Sequence, residues 1–241
     1  LKKYLYSLAD DIHAVSHGVA AATAYELGIA KNSITGIYNP EITSRRLNIS
    51  NADVDYPWIA DDGGPLIVAA GRLSKQKNFL SLIAAFKLVR KKIDAQLVIM
   101  GEGSLRKELH NFLMQQDLSG AVILTGFIDN PFAVMRRANL FVLSSIWEGL
   151  PNVIIQAMAC GTPIVSTNCE FGPAEILENG KWGELVEVGD VEQLAEAMLR
   201  SLKTKIHPDV KSRALNFSIE ATLPAYLDLL LSDKNQNKGC K

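Results

Sequence analysis

Two cations lie close together in a loop that follows an apolar run. Arg72 and Lys77 belong to the segment Gly71–Asn78, directly after the run Leu66–Ala70. A guanidinium can bind two phosphate oxygens at once and an ammonium acts as a point charge, so the pair could hold one diphosphate. Two solvated loop cations would give the same pattern, and both interpretations stay open on this segment alone.

A carboxylate, Glu148, follows a second apolar run, Leu140–Leu143, in a turn that also contains Gly149 and Pro151. Proline suits the first position of a helix, because its missing N–H would have no partner there. A helix that directly follows a strand points its unpaired N–H groups at the carboxyl edge of the sheet, where they favour anions. The turn therefore predicts a second part of a site for an anionic ligand.

The helix predicted after this turn runs to about Cys160 and is apolar nearly all round, which predicts burial. Its polar residue is Gln156. A polar side chain in a buried helix needs a hydrogen-bonding partner, either from the protein or from a ligand.

Other candidate motifs are weaker. Gly101-Glu102-Gly103 lacks the third glycine of the dinucleotide fingerprint, so it predicts a tight turn that lets a ligand approach the backbone rather than a NAD site. Asp53 and Asp55 lie in a polar stretch with no strand before them, so we interpret them as structural. The histidines and cysteines show no metal-ligand spacing. We expect neither a metal ion nor a cofactor.

The elements that must position these residues alternate along the chain. Short apolar runs typical of buried parallel strands are separated by amphipathic helical patterns such as Phe79, Leu82, Ile83 and Phe86. This alternation predicts an α/β fold with a doubly wound, Rossmann-like parallel sheet. The predicted strands are Leu66–Ala70, Leu97–Met100, Val122–Thr125, Leu140–Leu143, Ile164–Ser166 and Leu185–Val188.

The chain divides into three parts. Residues 63–231 form the predicted ligand-binding domain, which a helix at about Ile219–Leu231 closes. Residues 1–62 contain two short strands and two short helices, too little to bury a core, and we interpret them as the end of another domain plus an interdomain linker. The stretch Glu41–Pro65, most of which lies in this first part, is polar and is expected to be irregular. Residues 232–241 form a polar tail that we expect to be disordered.

Composition narrows the class of protein. The 241 residues are 48% hydrophobic and 21% charged with a formal net charge of −1, which suits a globular protein and gives no electrostatic reason to expect nucleic acid. The cysteines are expected to be reduced. No secretion signal or membrane span is predicted, and the expected location is the cytoplasm, including the inner face of the membrane.

Several segments in this order resemble the donor half of a group 1 (family 4) glycosyltransferase of GT-B fold. They are GRLSKQKNF, GEGSLRKEL, LTGFIDNP and SSIWEGLPNVIIQAMACGTPIVSTNCEFGPAEIL. The resemblance implies the C-terminal domain of a GT-B enzyme, here with a remnant of the N-terminal domain. It also implies a retaining enzyme that takes a hexose or N-acetylhexosamine from a nucleotide sugar, usually UDP-linked, without a metal ion. The implied acceptor is a glycan or a lipid-linked sugar.

The resemblance also implies roles for individual residues. Arg72 and Lys77 match the pair that holds the diphosphate and stabilises the leaving nucleotide. Glu148 matches the first glutamate of the E-x7-E motif, which faces the donor sugar. These three are the implied catalytic residues. The implied substrate-binding residues are Gly71, Arg72, Lys77, Gly126, Phe127, Glu148, Gly149, Leu150, Pro151, Asn152 and Gln156, with Gly126 and Phe127 near the base.

Two departures from the family pattern matter. Gln156 replaces the second glutamate of the motif, which in the family accepts hydrogen bonds from the ribose hydroxyls; an amide can accept one and donate one. We also expect the first domain, which would hold the acceptor and could bring peripheral contact with a membrane, to be missing from this chain.

Three hypotheses about function follow. The first is a retaining glycosyltransferase represented by its nucleotide-sugar-binding domain. The second is a truncated, catalytically inactive module that binds a nucleotide sugar. The third is another GT-B enzyme, such as a sugar-nucleotide 2-epimerase, against which the EGLPN and GPAEIL segments argue.

Overall fold

In the computed structural model of the protein, residues 4, 6, 8–50, 56 and 64–231 are described. The strands within these ranges are β1 (His13–Ala14), β2 (Thr35–Gly36), β3 (Leu66–Ala70), β4 (Gln96–Met100), β5 (Val122–Gly126), β6 (Leu140–Leu143), β7 (Ile164–Thr167) and β8 (Glu184–Val186).

Six of these strands form one parallel sheet in the order β5-β4-β3-β6-β7-β8. The strands β3 and β6 are buried along their whole length, which explains why they consist of uninterrupted apolar residues rather than an alternating pattern. All six predicted strands are therefore confirmed, although β8 ends at Val186 rather than at Val188.

Helices cover both faces of this sheet. They are α1 (His17–Leu27), α2 (Ser44–Ser50), α3 (Phe79–Arg90), α4 (Arg106–Gln115), α5 (Pro131–Arg137), α6 (Asn152–Cys160), α7 (Pro173–Ile176), α8 (Val191–Lys203), α9 (Val210–Ala214) and α10 (Ile219–Leu231). Alternate residues of β3 point to opposite faces: Ile67 and Ala69 pack with α3, α4 and α8, whereas Val68 packs with α5, α6 and α9. The predicted doubly wound α/β sheet is thus confirmed.

The first part of the chain forms a small separate layer. The strands β1 and β2 pair in parallel. Ser16 caps the N-terminus of α1, because its hydroxyl accepts a hydrogen bond from the Val19 amide at 3.2 Å. The apolar cluster beneath them contains only four buried residues within the described ranges, Ala20, Ala24, Leu27 and Ile34. Such a cluster is too small for independent stability. The assignment of residues 1–62 to a remnant of another domain stays a prediction.

One prediction for this region was wrong. The stretch Glu41–Pro65, expected to be irregular, contains the helix α2. The Thr43 hydroxyl caps it by accepting a hydrogen bond from the Arg46 amide at 3.2 Å, and Leu47 packs against the main core. Capping and tertiary packing outweigh the polar composition of this helix. Asp53, Asp55 and the tail 232–241 lie outside the described residues.

The segment between β2 and α2 is attached to the C-terminal part of the chain. The amides of Glu41 and Ile42 both donate to the carbonyl of Phe217, at 2.9 and 3.0 Å, and the Ile219 amide donates to the carbonyl of Ile42 at 3.1 Å. The Ile42 side chain is 1% exposed. This attachment determines where Glu41 lies.

No helix in the described ranges is both long enough and apolar enough to cross a membrane.

The loops after β3 and β4 pack against each other through glycine. A Cβ atom added to Gly103 would lie 2.3 Å from the carbonyl oxygen of Leu73. The Leu73 amide donates to the Glu102 carbonyl at 2.8 Å, and the Leu105 amide donates to the Leu73 carbonyl at 3.1 Å. The space around Gly103, which we expected a ligand to approach, is therefore occupied by the neighbouring loop.

We expect Gly103→Ala to lower the free energy of unfolding by about 1–3 kcal/mol, because backbone atoms must move to admit the methyl group. Gly120→Ala is the matched control, since an added Cβ there meets nothing within 4 Å. Urea unfolding of both variants measures the difference. Equal stability of the two would contradict the close packing of these loops.

Candidate functional site

The predicted site lies where the sheet changes its winding direction. The strands β3 and β6 are neighbours although β4 and β5 separate them in the chain. Loops that follow two such strands turn to opposite faces of the sheet, which leaves a crevice at the carboxyl edge where α/β proteins bind ligands. The loop after β3 carries Arg72 and Lys77, and the loop after β6 carries Glu148.

The structure brings two of the predicted catalytic residues into contact across this crevice. Lys77 Nζ donates a hydrogen bond to Glu148 Oε1 at 2.5 Å, and the Ser145 hydroxyl donates to the same oxygen at 2.6 Å. The Lys77 and Glu148 side chains are 14% and 7% exposed. A charge-assisted hydrogen bond that is largely excluded from solvent is stronger than one at the surface.

Hydrogen bonds also hold the two loops together. The Ser144 hydroxyl donates to the Lys77 carbonyl at 2.7 Å, and the Ile146 amide donates to the Gln76 carbonyl at 2.8 Å. The Gln76 side-chain amide donates to the Trp147 carbonyl at 2.9 Å. The position of Lys77 relative to the β6 loop is therefore set by the backbone as well as by its ion pair.

Gly71 leaves room for the Lys77 side chain, which passes close to its backbone. Its φ is 154°, which disfavours a larger residue, and an added Cβ would lie 2.9 Å from Lys77 Cε.

Arg72 directly follows Gly71 in the chain. Its side chain is exposed and makes no hydrogen bond or ion pair with any residue in the described ranges. An exposed guanidinium in the same loop as Lys77 is available to an anionic ligand.

The helix α6 begins at Asn152, so Pro151 flanks the helix instead of occupying its first position. Gly149 contacts the first part of the chain: its carbonyl accepts a hydrogen bond from the Ser16 hydroxyl at 3.1 Å. Leu150 is buried. The predicted substrate-binding residues Gly149–Asn152 thus lie between the crevice and the layer formed by β1, β2 and α1.

Gln156 has a protein partner that the sequence did not predict. Its side-chain amide donates to Glu41 Oε1 at 2.6 Å, and Arg46 forms an ion pair with the same oxygen. Burial raises the pKa of Glu41, while the hydrogen bond from Gln156 and the charge of Arg46 oppose the shift. Glu41 follows β2 in the segment Asn39-Pro40-Glu41-Ile42, and no local feature of the sequence pairs it with Gln156.

Gly126 and Phe127 lie at the carboxyl edge of the same sheet but farther from the crevice. Gly126 is the last residue of β5 and Phe127 follows it, and β4 separates β5 from β3. Phe127 is 80% exposed. A large aromatic ring in this position can stack on a planar ligand.

Cys169 lies near Glu148 but is not a candidate nucleophile. Burial, with a smaller contribution from the Glu148 charge, raises the pKa of its thiol to about 11. A thiol with this pKa is protonated at neutral pH and unreactive. Among the described residues, no group of three or more His, Cys, Asp or Glu side chains could hold a metal ion.

Comparison with known proteins assigns the family. The family described as "Glycosyl transferases group 1" matches residues 64–204, more than half of the chain. The chain belongs to this family. A lipopolysaccharide core biosynthesis glycosyltransferase, LpsE, of Rhizobium meliloti is 34% identical to this group 1 glycosyltransferase chain over 208 residues, covering 84% of it and 59% of the relative.

Two further relatives agree with this assignment. An uncharacterized glycosyltransferase of Methanocaldococcus jannaschii is 34% identical and covers 73% of this chain. The N-acetylgalactosamine-N,N'-diacetylbacillosaminyl-diphospho-undecaprenol 4-alpha-N-acetylgalactosaminyltransferase of Campylobacter jejuni is 36% identical and covers 61%. The chain spans 44% and 39% of the lengths of these two relatives.

Solved structures show the same fold. The Anabaena protein HepE in complex with UDP and glucose matches with a TM-score of 0.77 at 20% identity, covering 93% of this chain and 63% of that one. The lipopolysaccharide outer core galactosyltransferase WaaB matches with a TM-score of 0.73 at 24% identity, over 93% of this chain and 62% of that one. The fold is that of the GT-B glycosyltransferases, as the sequence motifs predicted.

The ion pair at the crevice predicts a clear result for stability. Lys77→Met leaves the buried Glu148 carboxylate without its cation, and we expect a loss of about 3–5 kcal/mol in the free energy of unfolding. The double variant Lys77→Met/Glu148→Gln removes the uncompensated charge and should recover part of this loss.

Lys181→Met is the control for this experiment, because the Lys181–Glu178 pair is exposed and exposed ion pairs add little to stability. Urea unfolding of the three variants measures these differences. A Lys77→Met loss no larger than that of the control would show that the crevice pair is not a buried ion pair in solution.

Proposed function

We propose that this chain is the nucleotide-sugar-binding part of a retaining glycosyltransferase. The donor is a UDP-linked hexose or N-acetylhexosamine, and the acceptor is a glycan or a lipid-linked sugar. The observation that carries the proposal is the group of charges at the crevice between β3 and β6, where the free guanidinium of Arg72 lies in the same loop as the Lys77–Glu148 pair.

This group suits a diphosphate that must leave as an anion. An ammonium has three N–H donors, so the bond from Lys77 to Glu148 leaves two for phosphate oxygens. Arg72 can add a bidentate contact, and the N-terminus of α6 adds further positive potential. Cations fixed in place can stabilise the departing nucleotide in the way that a metal ion does in other transferases.

In this proposal Glu148 binds the donor sugar. Its Oε1 accepts from Lys77 and Ser145. A carboxylate has two acceptor oxygens, which leaves Oε2 for a hydroxyl of the donor sugar. The positions of Gly126 and Phe127 at the same sheet edge support a site for the uracil ring beyond the diphosphate.

The relatives support the donor and acceptor classes. HepE was solved with UDP and glucose, and the names of the Campylobacter and Rhizobium relatives include an undecaprenol-linked acceptor and lipopolysaccharide core biosynthesis. Retention of configuration, the cytoplasmic location and contact with a membrane through an acceptor-binding domain belong to the proposal. They come from the family resemblance.

The alternative is a module that binds a nucleotide sugar without transferring it. The chain spans 59% or less of the length of each of the three relatives above. Placing the acceptor supplies much of the rate enhancement of a bimolecular transfer. Incubation of this chain with a labelled UDP-sugar and a lipid-linked acceptor separates the two, since the module would bind the donor and release no glycosylated product.

We expect the chain to bind UDP equally well with Mg²⁺ and with EDTA, because protein cations replace the metal ion. Arg72→Ala should weaken binding by about 2–5 kcal/mol, the usual cost of removing one partner of a charged hydrogen-bonded contact. The control is Lys91→Ala, which removes an exposed cation after the C-terminal end of α3, away from the crevice. Calorimetric titration measures all of these affinities. Loss of binding on chelation, or equal effects of the two substitutions, would contradict the proposed diphosphate site.

We expect Phe127→Ala to weaken UDP binding by about 1–3 kcal/mol, the usual contribution of stacking between an aromatic ring and a base. Binding of inorganic diphosphate, which has no base, should not change. Competition titrations with the two ligands separate the effects. A parallel loss for both ligands would remove Phe127 from the base site.

A further inference from the structure

Three side chains form a short chain of hydrogen bonds next to α6. Arg46 donates to the carboxylate of Glu41, and the side-chain amide of Gln156 donates to the same carboxylate oxygen at 2.6 Å. Arg46 Nη1 also donates to the Glu41 carbonyl at 2.6 Å. The carboxylate therefore receives donors from α2 on one side and from α6 on the other.

The chemistry of these groups determines which way the Gln156 amide faces. An ionised carboxylate only accepts hydrogen bonds, and a guanidinium only donates them. The NH₂ end of Gln156 must therefore face Glu41. The carbonyl oxygen of the same amide is then directed away from Glu41 and remains available as an acceptor.

Glu41 is held firmly enough to impose this orientation. Its amide donates to the Phe217 carbonyl at 2.9 Å, and its neighbour Ile42 is 1% exposed. A second contact joins the same two segments, because Asn39 Nδ2 donates to Asn152 Oδ1 at 3.2 Å. Asn152 and Gln156 are one helical turn apart, so one face of α6 meets the segment 39–41.

Burying the Glu41 carboxylate in its charged form is energetically unfavourable. Glu41 is 5% exposed, and burial raises the pKa of its carboxyl group. Removing a charge from water is unfavourable even when it is paired. Glutamine has nearly the same shape and could accept from Arg46 without this cost, so stability alone does not explain the carboxylate.

We propose that Glu41 is a positioning residue for donor binding, which holds the NH₂ of Gln156 so that its carbonyl oxygen accepts hydrogen bonds from the ribose. The inference rests on the proposed function and on the role that the family resemblance implies for position 156, which is contact with the ribose of the nucleotide. It also accounts for the amide at position 156. A glutamate there would place a second carboxylate against Glu41, and like charges at this distance repel strongly.

Glu41→Met tests the orientation, because methionine is close to glutamate in length but has no oxygen that could accept from Arg46 or Gln156. In this variant nothing holds the NH₂ of Gln156, so the amide can turn and present NH₂ to the ribose. The double variant Glu41→Met/Gln156→Glu returns an acceptor to the ribose, because a carboxylate at 156 can accept both from Arg46 and from the nucleotide.

The probes are UDP and UDP analogues in which fluorine replaces the 2′- or the 3′-hydroxyl. Fluorine cannot donate a hydrogen bond, so it is unfavourable against a carbonyl oxygen and tolerated against an NH₂ group. We expect the wild-type chain to bind UDP about tenfold or more tightly than at least one analogue. This ratio should fall to within about threefold in Glu41→Met and recover in the double variant.

Glu108→Met, which replaces an exposed glutamate on α4, is the matched control and should leave the ratio at the wild-type value. Thermal unfolding checks that each variant is folded. Because the readout is a ratio within one variant, a general loss of affinity does not imitate the effect. Gln156→Glu alone should weaken UDP binding and lower the melting temperature, since it sets two carboxylates against each other.

Three results would overturn the inference while leaving the proposed function intact: a wild-type chain that binds UDP and both analogues equally, an unchanged ratio in folded Glu41→Met, or a double variant that does not recover. The last would indicate that Glu41 itself contacts the ribose. A wild-type chain that binds no nucleoside diphosphate would overturn the proposed function and this inference together.

Discussion

The pairing of β3 with β6 is the constraint on which the crevice depends. These strands are joined in register at Ile67↔Leu140 and Val68↔Phe141, although two other strands lie between them in the chain. Parallel pairing places both carboxyl ends at one edge, and the loops that follow diverge there. The Lys77–Glu148 ion pair then bridges the two loops. Without this strand pairing the two charged side chains would belong to unrelated surfaces.

Two buried carboxylates lie close to this part of the molecule, and each has a cation of its own. Glu148 is paired with Lys77 and Glu41 with Arg46. Such pairs seldom add stability compared with apolar residues of the same size, because desolvation offsets their attraction. Their presence beside a crevice fits a role in binding better than a role in folding. Arg72 is exposed and makes no ion pair with a described residue, which suits binding of an anionic ligand.

The layer formed by β1, β2 and α1 is attached to the site as well as to the core. Glu175, on α7, accepts hydrogen bonds from the His17 and Gly18 amides at 2.8 and 3.1 Å. These amides lie in the first turn of α1, where a carboxylate is favourable. The Ser16 hydroxyl reaches the carbonyl of Gly149. A small layer that cannot bury its own core therefore gains its position from the loops of the larger domain.

The sequence alone determined the elements and most of the candidate residues. Apolar runs specify buried parallel strands, and helical periodicity specifies the helix faces that cover them. Both patterns can be read from short segments because each buried position carries an apolar side chain. Arg72, Lys77 and Glu148 follow such strands closely in the chain, which is enough to place them at the carboxyl edge of a parallel sheet. Local composition misled only where tertiary packing outweighed it, as in the helix α2.

The tertiary structure decided which of these residues touch. Strand order brought Lys77 to Glu148, and the attachment of segment 39–42 to Phe217 brought Glu41 to Gln156, across a separation of 115 positions in the chain. No local pattern encodes such a contact. Such a contact depends on the order of the strands in the sheet and on hydrogen bonds between distant segments, such as those from the Glu41 and Ile42 amides to the Phe217 carbonyl. Both follow from the packing of the whole domain.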